Sequence, residues 1–197
     1  MAAQVDANES AETQYFKSRE RVREQGEVFT QPREINAMLD LMPGAFDSLD
    51  TTFLEPAAGN GNFVIQIFRR KTSLISVEVF GGTDRWLEFA VLRALASIYA
   101  IDIDHENILQ ARQRMLDEVQ LISVDRDCVR AAKAILNSNV VVGDSLNHPE
   151  SIQFVSYKAL PGERFQRSVQ FLRQPDVDLF YQPPEVLPVV HFSELGS

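Results

Sequence analysis

Cysteine, histidine, basic charge and long apolar runs are all scarce in this chain of 197 residues. The single cysteine, Cys128, rules out an internal disulfide and fits a reducing compartment. It shares a helical face with Val129, Ala132 and Ile135, which reads as a small core position rather than a reactive thiol. The three histidines, His105, His148 and His191, stand far apart and lack metal-ligand spacing with Cys128, so no zinc site is expected. Nothing approaches the run of about 18 apolar residues that a membrane-spanning helix needs. Residues 1–10 have neither the basic nor the apolar segment of a signal peptide, which leaves the cytoplasm as the expected location. Lys and Arg number 19 against 28 Asp and Glu, a net charge of −9 that counts against tight nucleic-acid binding by this chain alone. The basic clusters at Lys17, Arg19, Arg21 and Arg23, and at Arg69, Arg70 and Lys71, read as solvated helix faces. Ser145 has no Gly-x-Ser-x-Gly setting, which argues against a hydrolase triad.

What remains is ordinary globular composition, 45% hydrophobic and 24% charged, at a length that suits one domain. Residues 1–14 are polar and without periodicity and are expected to be disordered. A short charged helix is predicted over 15–25, an extended loop over 27–32, and a helix from about Pro32 to Met42 with Ile35, Met38, Leu39 and Met42 on one face. Thr52–Glu55, Ile98–Ile103 and Val140–Val142 read as short buried strands. Helices are predicted after Gly61, from Asp84, from His105 and from Asp125. Strands alternating with helices define an α/β chain of the doubly wound class. After Asn147 the polarity alternates over Ile152–Tyr157 and Arg164–Gln170 around Leu160-Pro-Gly-Glu163, as in an antiparallel hairpin. The tail, with Pro175, Pro183, Pro184 and Pro188, is expected to be irregular. The chain thus divides into 1–14, a main unit over 15–147, and a hairpin with a Pro-rich extension over 148–197 of the same domain.

The most informative stretch is Phe53-Leu-Glu-Pro-Ala-Ala-Gly-Asn-Gly-Asn-Phe63. An apolar strand ends in Glu55, and Gly59 and Gly61 remove the β-carbons that would hold a ligand off the backbone. Open α/β sheets bind ligands at the strands' C-terminal ends, where Glu55 stands. A carboxylate there repels phosphate and favours a ligand with an ammonium or sulfonium group. Asp102 and Asp144 end the next two strands in the same way. One such acid usually caps a helix; three in series suit a nucleoside, with Asp102 for the ribose hydroxyls, Asp144 for the adenine amino group and Ile103 against the adenine face. A dinucleotide fingerprint is disfavoured, because Val64 occupies the place of its third glycine and Asp102 lies far beyond the usual 20 residues.

These motifs resemble those of the S-adenosylmethionine (SAM)-dependent DNA methyltransferases that act on adenine N6 in restriction–modification systems. Phe53–Phe63 is similar to the family's first motif, Tyr99-Ala-Ile-Asp-Ile-Asp104 to the second and Val141-Val-Gly-Asp-Ser145 to the third. Gly26-Glu-Val-Phe-Thr-Gln-Pro32 resembles the segment that closes over the methionine end of SAM. The resemblance covers about residues 20–147. It implies a truncated doubly wound, Rossmann-like methyltransferase sheet with an N-terminal helical extension and a C-terminal β-hairpin. It further implies SAM as cofactor, with Phe29 and Thr30 at its methionine part and Glu55 near its ammonium. Ala57, Gly59 and Gly61 would supply close backbone, with Asn62 and Phe63 opening the helix beneath; for Phe29 and Phe63 core packing is the other reading. Asp102, Ile103 and Asp144 would hold ribose, adenine face and adenine N6. The family's catalytic Asn/Asp/Ser-Pro-Pro-aromatic has its counterpart in Gln182-Pro183-Pro184, followed by Glu185 where the aromatic would stand. Two readings follow: a DNA adenine methyltransferase or component of one, reaching DNA through a partner subunit in a hetero- or homo-oligomer, or a catalytically inactive SAM-binding regulatory or structural subunit.

Overall fold

The computed structural model describes residues 30–42, 44–75, 84–173 and 184–197. The stretch 1–14 expected to be disordered, the helix predicted over 15–25, residues 27–29 of the extended loop over 27–32, with Phe29, and the residues 178–181 read as strand-like before Gln182 lie outside them.

Helix α1 (Pro32–Leu39) opens with Pro at its first position and a capping box between Gln31 and Glu34, and buries Ile35 and Leu39. Strand β1 (Phe53–Glu55) leads into α2 (Asn62–Thr72), and α3 (Asp84–Ala96) runs into β2 (Ile98–Asp102). Then come α4 (His105–Gln120), capped by Asp104, α5 (Arg126–Asn139), capped by Asp125, and β3 (Val140–Val142). The three strands pair in parallel in the order β1-β2-β3, with Glu55 opposite Ala100 and Asp102 opposite Val142. Both crossovers step in the same direction. For right-handed connections that places their helices on one face of the sheet. The helices share one apolar cluster with Ile98, Ala100 and Val140. The other face of the sheet is closed around Ile101 by Ile152, Phe154 and Leu172. The molecule is therefore mixed α/β with a three-stranded parallel sheet, and a second helical layer, as a doubly wound sheet would have, is not found among the described residues.

The hairpin is present and longer than its alternation suggested: β4 (Gln153–Leu160) and β5 (Arg164–Phe171) pair over eight residues each. The tail corrects the sequence-based expectation of irregular backbone, because β6 (Val186–His191) adds antiparallel to β5. Pro188 fits there since, among the described residues, β6 pairs on one side only, so its missing N–H breaks no ladder on the other. The three-stranded sheet is welded to the helical layer by Phe165, fully buried against Phe89 at 4.9 Å, and by Val155 N–H, which donates to Asn139 Oδ1 at 3.1 Å. Cys128 is fully buried as expected, and burial pushes its thiol up to about 12. No described helix is long and apolar enough to cross a membrane.

Candidate functional site

Parallel pairing brings the C-terminal ends of β1, β2 and β3 to one edge, so Glu55, Asp102 and Asp144 follow neighbouring strand ends. Backbone bonds knit that edge together. Ala58 N–H donates to Ile101 O at 2.8 Å, and Gly143 N–H to Asp102 O at 3.0 Å. Ser145 Oγ donates to Pro56 O at 3.0 Å, joining the loops that follow the two outer strands.

Asp102 is the centre of the arrangement. Its Oδ2 accepts Gly59 N–H at 2.7 Å, and its Oδ1 accepts Asp104 N–H at 2.9 Å and Asn107 Nδ2 at 3.2 Å. The glycine loop and the second strand end are thus one unit. Gly59 holds φ +52°, and a β-carbon placed on it would meet no atom of the described residues within 4 Å. Among the described residues the space directly over this backbone is therefore open. Gly61 serves packing instead. At φ +93° it opens α2, and a β-carbon there would lie 3.0 Å from Ala111 Cβ and 3.1 Å from its Cα.

Glu55 Oε1 accepts Ala57 N–H at 3.1 Å. Its carboxyl is held above the usual carboxylate range chiefly by burial, with the nearby Asp102 charge adding to the effect and the Ala57 bond opposing it. Two acids therefore stand near one another at a partly buried strand edge, where a cation would be favoured over a phosphate. Asp144 differs. Its Oδ1 accepts Leu146 and Asn147 N–H at 3.1 and 2.9 Å, and its Oδ2 accepts Asn147 Nδ2 at 2.7 Å. Those bonds, the Asn147 side chain first, hold its carboxyl below the ordinary value. Its carboxylate closes its own turn, and any ligand would share oxygens already engaged.

Ile103 leaves 72% of its surface in water and Leu146 89%, two large apolar side chains beside the strand ends. Phe63 is partly buried against the main core, so packing accounts for it. Asn62 Nδ2 points at Thr30 O, 3.5 Å away, which places the start of α1 beside the glycine loop. Of the catalytic candidates, Gln182 and Pro183 lie outside the described residues. Pro184 is half-buried just before β6, where Glu185 O accepts Val169 N–H at 2.9 Å, so its local setting is the antiparallel sheet. Sequence reasoning missed Ser145 as a bridge, and missed Asn107 and Arg114, whose polar side chains interrupt the apolar stripe of α4. The Asp-x-x-Asn spacing of Asp144 and Asn147 was a readable turn signal.

A cavity of about 350 Å³ lies elsewhere, between the C-terminal ends of α2 and α4 and the start of α3, lined by Phe68, Ile75, Leu87, Val91 and Leu121. Among its described lining residues the one acid, Glu118, is bound by Arg69 through bonds of 2.8 and 2.6 Å. Among the described residues no group of three or more His, Cys, Asp or Glu is placed to hold a metal. No protein-family model, curated protein or solved structure matches the chain.

Proposed function

We propose that the chain binds S-adenosylmethionine at the strand ends and belongs to an adenine-N6 DNA methylation system, with DNA presented by a partner subunit. The observation that carries this reading is the Gly59–Asp102 unit: an acid at a parallel strand end, locked by a glycine N–H, with no described residue close above the glycine. The residues present fit the cofactor. Asp102 keeps a lone pair for a ribose hydroxyl on Oδ2, which accepts one bond, whereas Oδ1 already accepts two. Ile103 offers an exposed apolar surface to an aromatic base. Two neighbouring carboxylates, Glu55 and Asp102, favour a cationic ligand over a phosphorylated one. Bound there, the cofactor would supply an electrophilic methyl group on a positively charged sulfur. The chain's own part is to hold ribose and ammonium groups and to keep the glycine loop rigid. Transfer to an exocyclic amine needs an acceptor for its hydrogen bonds, for which Gln182 is the candidate in this chain.

Calorimetric titration tests the binding step. Wild type is expected to bind SAM, and Asp102→Ala to lose most of that affinity; unchanged affinity in the variant refutes the ribose assignment. Transfer of labelled methyl from SAM to mixed-sequence DNA, by the chain alone and with candidate partners, then tests the reaction. Transfer by the lone chain that survives Gln182→Ala removes Gln182 from the catalytic role.

A further inference from the structure

The face of α4 turned toward the strand ends carries Asn107, Ala111 and Arg114, spaced four and three apart and so aligned along the helix. Asn107 bonds Asp102, Ala111 receives the close approach of Gly61, and Arg114 holds the residues on either side of that glycine. Arg114 Nη1 donates to Asn60 O at 2.7 Å and to Asn62 Oδ1 at 2.9 Å. A guanidinium has donors and no acceptor, so it can face only the oxygen of the Asn62 amide. That fixes which way the amide points and turns its NH₂ toward Thr30 O, 3.5 Å away.

Packing alone does not explain an arginine here. Its guanidinium is half-buried, and burial with the nearby Arg69 charge lowers its pKa. The adjacent Glu118 is already engaged by Arg69 through two bonds. A charge kept at that cost is spent on two oxygens of the glycine loop, where charge-assisted bonds are worth more than neutral ones.

We infer that Arg114 is a positioning residue, whose cation sets the conformation of loop 59–62 and the orientation of the Asn62 amide and so couples the glycine loop to the backbone entering α1 at Thr30. The ligand side of this inference rests on the SAM reading above; the loop side stands without it.

The experiment has two arms, on the full chain. In the first, amide hydrogen exchange at Gly59 and Gly61 is followed without ligand in wild type, Arg114→Met, Arg114→Lys and Asn62→Ala, each also checked for global stability by urea unfolding. Arg114→Met is expected to speed exchange at both glycines by about tenfold, the equivalent of one charge-assisted hydrogen bond, beyond any change in global stability. Arg114→Lys is expected to restore much of the protection, since a single nitrogen makes both bonds. Exchange that changes only in step with global stability overturns the inference. In the second arm, SAM is titrated into the same variants and into the Arg114→Met/Asn62→Ala double variant. Losses of about tenfold in each single variant that do not add in the double support the coupling. Additive losses, or affinities equal to wild type, overturn it. Wild type that fails to bind SAM sinks the cofactor reading, and the exchange arm still decides the role of Arg114.

Discussion

Two charges lie out of bulk water near opposite ends of α2, and they are treated in opposite ways. Lys71, in the last turn, is fully buried, and its Nζ donates to Leu49 O at 2.9 Å, Thr51 O at 2.7 Å and Ser48 O at 3.4 Å. The ring of Phe53 lies 5.1 Å from the same nitrogen. Every capacity of that ammonium is used inside the protein, as a structural charge requires. Glu55, before the helix, has one backbone donor and a second acid nearby. Among the described residues that carboxylate has no cation beside it, and under the proposed function it would receive one from the ligand. Satisfaction separates these two charges more sharply than burial does.

Lys71→Met is expected to cause the largest change, a loss of about 2–4 kcal/mol in urea unfolding, because three carbonyls of loop 48–51 lose their donor. Burial lowers the Lys71 pKa from 10.5 to about 8, opposed by the charge of Asp50. The unfolded chain thus holds this proton up to a higher pH than the folded one. Wild-type stability relative to Lys71→Met should rise between about pH 8 and 10.5, and a flat difference over that window contradicts the account.

The two glycines come next. Gly61→Ala combines a positive φ with backbone and side-chain atoms of Ala111 at 3.0–3.1 Å, and should cost about 2–3 kcal/mol. Gly59→Ala meets open space and should cost only the conformational strain, about 1 kcal/mol, while weakening SAM binding more than its stability loss explains. Equal stability losses for both, measured by chemical denaturation, would remove the distinction between packing glycine and ligand glycine. Ser145→Ala, which deletes the bond to Pro56 O, should cost about 0.5–1.5 kcal/mol. Glu55→Gln is the smallest effect on stability and has the opposite sign. A raised carboxyl pKa means that the folded state is penalised once the group ionises, and the amide removes that penalty while its oxygen keeps the Ala57 bond. The melting temperature of the variant should exceed wild type near neutral pH, with the gain vanishing as pH falls below the ordinary glutamate value, and SAM affinity should drop.

The same contrast explains what the sequence could reveal. Val140–Val142 and the apolar run before Glu55 announce strands, and parallel order follows once helices intervene, but the expected burial fails in part, since Leu54 and Val142 keep 48% and 45% of their surfaces exposed. Gly59 and Gly61 were legible as a pair, but only the fold shows that one faces Ala111 and the other open space. β6 was hidden because prolines dominate its surroundings, although Val186, Val189 and Val190 are β-formers and Pro188 sits on an edge. Asp102 and Asp144 look alike in sequence. Their difference lies in partners 43 residues away for the first, at Gly59, and three residues away for the second, at Asn147. Arg114 reaches Asn60 across 54 residues, a contact no local pattern encodes.

The most direct measurement is equilibrium binding of SAM, its neutral thioether product and ATP to the wild-type chain at neutral pH. SAM should bind most tightly, the thioether more weakly for want of the sulfonium charge, and ATP least because its phosphates meet Glu55 and Asp102. ATP binding as well as SAM, or no binding of SAM at all, would contradict a strand-end site built for a cationic nucleoside.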